Sequence, residues 1–322
     1  MQKTNNKRFD LSIVIPLYNE EEVIEELCDK LILFKKIFPE KTEIIFIDDG
    51  SYDKTLSRLK KSSIKNTYEV NLIQLSRNFG HQAALLAGLA NSRGEITVTM
   101  DGDLQHPIDL IPKMLSLHKN EIDVVNTVRI DKKKTPFFKK ITSSLFYKLF
   151  RSISKTKILA SSSDFRSMNR ISLNYLLSMS ESRKFLRGMV SWIGFSTASL
   201  SYEVGFRYAG VSKYSLKKML KLSLEGIVSF SSLPLYLSVI LGILSITLST
   251  IYGLYILYAK YFLHSVVSGW TSLILIILIM SSFIFLLFAL FGVYLAAIYD
   301  EVKKRPSYII KSRLVLNTPI RK

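Results

Sequence analysis

A single cysteine, Cys28, stands among 322 residues, so no intrachain disulfide can form and a disulfide-built secreted domain is excluded. Lying in a helical stretch, Cys28 reads as a small buried residue. Acidic residues are scarce, 26 Asp+Glu against 44 Lys+Arg, which leaves a formal charge of +18. No cleavable leader is expected, because Met1–Asp10 is polar and the apolar run Leu11–Pro16 is too short for a signal core. Neither G-x-G-x-x-G nor G-x-x-x-x-G-K-[ST] occurs, which excludes the glycine cradles of dinucleotide oxidoreductases and P-loop enzymes. Zinc ligands, a helix-turn-helix and an aromatic RNA-binding signature are also missing, so the positive charge does not point to nucleic acid. The most informative absence is of charge itself. Gly226–Ala259 (34 residues) and Ser265–Tyr299 (35 residues) contain no Asp, Glu, Lys or Arg, and each exceeds the ~20 apolar residues that cross a bilayer.

Those two segments are expected to form a transmembrane hairpin over 233–299. The following tail, 300–322, carries seven Lys/Arg and two acids, whereas the connection between the spans has only Lys260 and His264. The positive-inside tendency puts the tail in the cytoplasm, and two crossings put the N-terminal region there too. The expected location is therefore the cytoplasmic membrane. With so few ionisable groups in the spans, a transporter is disfavoured. Residues 1–225 hold 36 Lys+Arg and 24 Asp+Glu. That is ordinary polar composition, enough for one domain of about 200 residues with its own core.

Within that domain, Leu11–Ile15, Glu43–Asp48, Val70–Leu75, Glu95–Met100 and Ile122–Thr127 are short runs of the kind that form buried strands. Helical spacing separates them: Val23, Ile24, Leu27, Leu31, Phe34 and Phe38 follow Asn19 as expected N-cap, and Asp53 begins a second helix with Leu56 and Leu59 inward. This alternation predicts an α/β fold, a mostly parallel sheet with flanking helices, whose ligands bind beyond the carboxyl ends of the strands.

The residues just after the strands are P-L-Y-N-E (16–20), D-D-G-S (48–51), S-R-N-F-G (76–80) and D-G-D-L-Q-H-P (101–107). Asp101 and Asp103, at i and i+2 after a strand, are hard oxygen ligands suited to Mg²⁺ or Mn²⁺ completed by water and substrate phosphates. A solvated Asp-Gly turn is the alternative. Asp49 can accept hydrogen bonds from a base or ribose, with Pro16, Tyr18 and Glu20 as the other wall of the cleft. Asp48–Ser51 also reads as a turn and helix cap.

These motifs, followed by S-D-F-R (163–166), R-G-M-V-S-W-I-G-F (187–195) and R-Y-A-G-V-S-K-Y-S (207–215), resemble the family-2 glycosyltransferases, in particular their polyprenyl-phosphate branch. The resemblance implies a GT-A Rossmann-like domain that binds a nucleotide-sugar and a divalent metal, and passes the sugar to undecaprenyl phosphate with inversion. It assigns Pro16, Tyr18, Glu20 and Asp49 to the nucleotide, and Asp101, Asp103 and Gln105 to the metal and diphosphate. Asp164 falls where the family's catalytic base is assigned. One departure is Gly102, where the family commonly has alanine. Related enzymes imply a homo-tetramer. UDP-glucose is the first choice of donor, with GDP-mannose and amino-sugar nucleotides left open.

Residues 129–157 carry ten Lys/Arg against Asp131, and Phe138, Ile141, Leu145, Leu149 and Ile153 share one helical face. This predicts an interfacial helix near 137–153 within a domain of residues 1–212, and an amphipathic helix over 213–232 leads into the first span. Packing against the domain is the plainer alternative for both. Arg129, Arg207 and Lys213 are the expected holders of the acceptor phosphate, with Arg166 and Arg187 as weaker candidates that could instead pair with Asp164 or Glu181. A phosphate monoester, with a second pKa of about 6, is already largely dianionic at neutral pH, so its need for a base is small. Asp164 then either removes a residual proton or positions the acceptor. A processive polysaccharide synthase lacks support, since 187–192 reads R-G-M-V-S-W without Q-x-x-R-W. A catalytically dead scaffold is opposed by retention of Asp49, Asp101, Asp103 and Asp164.

Overall fold

The computed structural model describes residues 9–38, 40–130, 162–179, 181, 185–203 and 269–316, together with positions between 240 and 262. Eight strands form one sheet: β1 (Phe9–Leu17), β2 (Thr42–Asp48), β3 (Glu69–Leu75), β4 (Gly94–Thr99), β5 (Val124–Ile130), β6 (Ser162–Asn169), β7 (Thr197–Glu203) and β8 (Ile310–Leu316), in the order β7-β5-β6-β4-β1-β2-β3-β8. The pairs β1–β2, β1–β4, β2–β3 and β5–β7 are parallel, whereas β6 runs antiparallel to both β4 and β5, and β8 antiparallel to β3. The five expected strands are present to within a few residues at their ends. The result is a mixed α/β sheet with flanking helices.

Continuous apolar sequence explains the central strands. All seven residues of β2 and all of β1 except Asp10 are buried, as expected where helices cover both faces. Helix α1 (Ile24–Ile37) turns Ile24, Leu27, Cys28, Leu31 and Phe34 inward, α2 is Thr55–Lys61, and α4 (Ile111–His118) buries Ile111, Met114 and Leu115. Helix α3 (His81–Asn91) approaches so closely that a Cβ on Gly88 would meet Val14 Cγ1 at 2.3 Å. Two further helices, α5 (Arg170–Ser178) and α6 (Leu186–Trp192), follow β6.

The start of α1 corrects one expectation. Asn19 does not cap it; Val23 occupies that position. Asn19 adopts a positive φ of 52°, accepts the Tyr52 amide at 3.1 Å through Oδ1, and donates its own amide to Ser51 Oγ at 3.0 Å. Its side chain is spent joining the β1 and β2 loops.

At the opposite, N-terminal edge of the strands, the fully buried Glu43 accepts from Ser12 Oγ (2.6 Å), from the Arg93 amide (2.7 Å) and from Arg93 Nε (3.0 Å), while Arg93 also reaches Glu69. This cluster ties β1, β2, β3 and the entry to β4. Removing one partner of such a pair strands a buried charge, so Arg93→Met is expected to cost about 3 kcal/mol. Denaturant unfolding checks it; a loss under about 1 kcal/mol, the range of exposed ion pairs, would contradict it.

Residues 310–316 of the expected tail are strand β8 of the sheet. Helix α7 (Trp270–Val302) is the apolar one, and its segment Ile279–Val302 is long and apolar enough to cross a membrane. The described positions between 240 and 262 are helical, but most of the first expected span lies outside the described residues, as do the interfacial helix near 137–153, the segment 213–232, and Arg207 and Lys213.

Candidate active site

The carboxyl ends of β1, β2, β3 and β4 meet on one edge of the sheet. After β1, the amides of Glu20 and Glu21 donate to Thr55 Oγ1 (2.8 Å) and Asp53 Oδ2 (3.2 Å), and Tyr18 packs edge-on to Tyr52 at 6.2 Å. Pro16 is a buried residue of β1 paired with Ile47. At the end of β2, Asp49 is buried and both its oxygens are engaged: Oδ1 accepts the Phe79 amide at 2.7 Å and Oδ2 the Gly80 amide at 2.9 Å. Burial raises its pKa, and those two amides oppose the rise. Asp49 thus shapes the S-R-N-F-G loop that launches α3. Gly50 is obligatory beside it, with φ of 72° and a hypothetical Cβ only 2.6 Å from the Arg77 carbonyl carbon.

After β4 the D-G-D-L-Q-H loop folds on itself. The Asp101 amide donates to His106 Nδ1 (3.0 Å) and the Gln105 amide to Asp103 Oδ1 (3.1 Å), while Leu104 takes a positive φ of 62°. Because His106 accepts at Nδ1, its proton sits on Nε2, which meets Ser163 Oγ at 3.1 Å; Tyr202 donates to the same oxygen at 3.2 Å. His106 also stacks on Phe165, centroids 4.9 Å apart, and burial lowers its pKa, keeping it neutral. The loop is thereby pinned to β6 and β7. A Cβ on Gly102 would stand 2.5 Å from Leu17 Cδ2, the movable end of a side chain. Gly102→Ala is expected to change transfer rate less than about tenfold, since a rotamer shift costs of order 1 kcal/mol. A thousandfold loss in a steady-state assay would show that the turn tolerates no Cβ.

Strand β6 brings in Asp164. Its antiparallel register pairs Thr99 with Arg166, so two residues further along, Asp101 faces Asp164. Arg187, on α6, grips the Asp164 carboxylate with Nε to Oδ1 and Nη2 to Oδ2, both at 2.9 Å. Arg166 lies 3.6 Å from Oδ1, and Gln82 Nε2 is 3.4 Å from Oδ2. His81, the first residue of α3, bridges the two acids, with Nε2 at 3.4 Å from Asp101 Oδ1 and 3.6 Å from Asp164 Oδ2. Leu85, Leu89, Leu176, Leu186 and Val190 form an apolar pocket behind Asp164 and Arg166, which strengthens these charge interactions.

The neighbouring acids are driven apart in acidity. Burial works against the Asp164 charge, yet His81, Arg187 and Arg166 hold its pKa well below the usual carboxylate range. Burial raises that of Asp101, with Asp164 and Asp103 adding to the rise and the two histidines opposing it. Burial would lower His81, but Asp164 and Asp101 keep it raised.

Among the described residues no three His, Cys, Asp or Glu side chains converge as a ready-made metal cage. Two buried carboxylate oxygens lack a hydrogen-bond partner among the described residues, Asp48 Oδ2 and Asp101 Oδ1, and the second, 3.4 Å from His81 Nε2, lies at this site. Such an oxygen fits a hard divalent cation that takes most of its ligands from water and phosphate. Of the expected site residues, Asp101, Asp103, Gln105, Asp164 and Arg129 are close together, Arg129 Nη1 reaching Gln105 Oε1 at 3.4 Å. His81 and Gln82 were not anticipated. The only signal for them is their place directly after the S-R-N-F-G motif, at the start of a helix facing the strand ends.

A model described as glycosyl transferase family 2 matches residues 12–177. An uncharacterised glycosyltransferase of Bacillus subtilis, YkcC, is 40% identical over 306 residues, covering 95% of this chain and 94% of that protein. The bactoprenol glucosyl transferase of Shigella phage SfII is 35% identical over 301 residues, covering 94% of this chain and 97% of that protein. Among solved structures, glucosyl-3-phosphoglycerate synthase of Mycobacterium tuberculosis with Mn²⁺, UDP and glucosyl-3-phosphoglycerate is 19% identical, covers 68% of this chain and 78% of its own, and has a TM-score of 0.47.

Proposed function

Because the chain belongs to glycosyl transferase family 2, we propose that it transfers a sugar, glucose from UDP-glucose first, to the phosphate of a membrane polyprenyl phosphate, undecaprenyl phosphate foremost, with inversion. The observation that carries this reading is that His81 links Asp101, in the D-G-D loop after β4, to Asp164 on the neighbouring strand β6. The near full-length similarity to proteins named bactoprenol glucosyl transferases supports the acceptor class and the sugar.

In this reading Asp101, Asp103 and Gln105 hold Mg²⁺ or Mn²⁺ against the donor diphosphate, and Asp49 supports the nucleotide by setting the loop before α3. When bound, the metal offsets negative charge on the departing nucleoside diphosphate. Arg129 beside Gln105, with Arg207 and Lys213, receives the acceptor phosphate, whose oxygen attacks the anomeric carbon from the face opposite the leaving group. Asp164, committed to Arg187, His81 and Gln82, orients this machinery in preference to removing a proton.

Strand β8, which follows the apolar region in sequence, shares a sheet with β1, which precedes it. That supports an even number of crossings, α7 plus one in 226–259, with the basic domain and C-terminal strand on the cytoplasmic side.

The test incubates membranes containing the protein with undecaprenyl phosphate, Mn²⁺ and labelled UDP-glucose, GDP-mannose or UDP-N-acetylglucosamine. Label should enter the organic phase from UDP-glucose. Transfer from another donor would revise the sugar; none from any would refute the activity.

A further inference from the structure

Asp164 is held by two guanidinium groups of different kinds. The Arg166 side chain, on the same strand, is 4% exposed, lies 3.6 Å from Oδ1 and donates to the Ser163 carbonyl at 3.0 Å. It is buried. Arg187, on α6, is 38% exposed, and its two bonds to Asp164 use the planar fork with which guanidinium also grips a phosphate. One carboxylate therefore faces two guanidiniums, with His81 and Gln82 beside it. If Arg187 leaves, Arg166 still balances the buried charge, so departure of the exposed partner does not strand Asp164.

We propose that Arg187 is a phosphate-binding residue that rests on Asp164 in the free enzyme and transfers its guanidinium to a phosphate oxygen of the incoming substrate. The Asp164 carboxylate occupies the place of that phosphate until it arrives. The exchange swaps one ion pair for another, with no covalent bond made or broken. It rests on the reading of the site as a glycosyltransferase centre, which offers two phosphates, the acceptor monoester and the donor diphosphate. Either presents the same chemistry to the fork.

Calorimetric titration of the purified full-length protein in detergent separates the possibilities, with farnesyl phosphate as the monoester and UDP with Mn²⁺ as the diphosphate. Arg187→Ala should weaken one of them about tenfold or more, because a charged hydrogen-bonded pair is lost. Arg187→Lys, which keeps the charge without the fork, should recover part of it. Loss for farnesyl phosphate assigns the acceptor, and loss for UDP assigns the donor. Asp164→Asn should bind that same ligand at least as tightly as the wild type, since the competing carboxylate is gone, and Arg187→Ala should still weaken binding in that background. Arg187 that merely braced Asp164 would give the opposite pattern: no further loss in the Asp164→Asn background, or Asp164→Asn itself losing phosphate affinity. Unchanged affinity of Arg187→Ala for both ligands would overturn the proposal. A wild-type protein that bound neither would instead refute the glycosyltransferase reading on which it rests.

Discussion

Asp103→Ala is expected to lower kcat for sugar transfer by about a thousandfold or more, because charge stabilisation at a departing diphosphate is worth several kcal/mol and each 1.36 kcal/mol is a decade in rate. The side chain does two things that can be separated. Its Oδ1 accepts the Gln105 amide at 3.1 Å and so shapes the loop, and its negative charge adds to that of Asp101, two residues away. Asp103→Asn preserves the first and removes the second. If the charge is what matters, Asp103→Asn should be nearly as inactive as Asp103→Ala while melting like the wild type, and high Mn²⁺ should restore part of its rate. Near-normal turnover by Asp103→Asn would leave only a loop-shaping role and would remove the metal from this position.

Asp164→Asn is the second large effect, expected to lower kcat about a hundredfold, the cost of misplacing reacting groups by about 1 Å. Its diagnostic feature is the pH profile. His81, Arg187 and Arg166 keep Asp164 ionised well below the ordinary carboxylate range, so it does not titrate between pH 5 and 8. The acid limb of kcat/KM for the acceptor should therefore reflect the phosphate monoester, near a pKa of about 6, and should persist in Asp164→Asn. An acid limb present in the wild type but absent in the variant would identify Asp164 as a titrating base. Stability follows the same linkage. A depressed folded-state pKa contributes stability above the unfolded value of about 3.9, lost as pH falls through the folded value. Wild-type stability should thus drop below about pH 4. Asp164→Asn, which leaves Arg166 buried without its counter-ion, should lack that part of the drop and start about 3 kcal/mol lower.

Strands β1 to β5 were legible because a strand covered on both faces must be apolar throughout, and I-I-F-I in β2 permits little else. Strand β6, S-S-D-F-R-S-M-N, was not: one end lines a polar site and its antiparallel course breaks the alternation of helix and strand. Strand β8, I-K-S-R-L-V-L, was hidden by basic residues suited to a solvated edge and by the apolar segment that separates it from its partner β3. At the site, Asp49, Asp101 and Asp103 could be read from their positions after strands, and Asp164 only from the resemblance of S-D-F-R. Their partners could not. The Asp164 clamp joins residues 81, 82, 164, 166 and 187, and the Glu43–Arg93 pair spans 50 residues, so neither leaves a local pattern.

The most direct test of sugar transfer from this carboxylate cleft to a lipid phosphate follows labelled glucose from UDP-glucose into the organic phase, with wild-type and Asp103→Ala proteins side by side. Label should depend on added undecaprenyl phosphate and Mn²⁺, disappear with EDTA and be absent with Asp103→Ala. Organic-phase label of equal amount from Asp103→Ala, or from the wild type with undecaprenol in place of its phosphate, would contradict it.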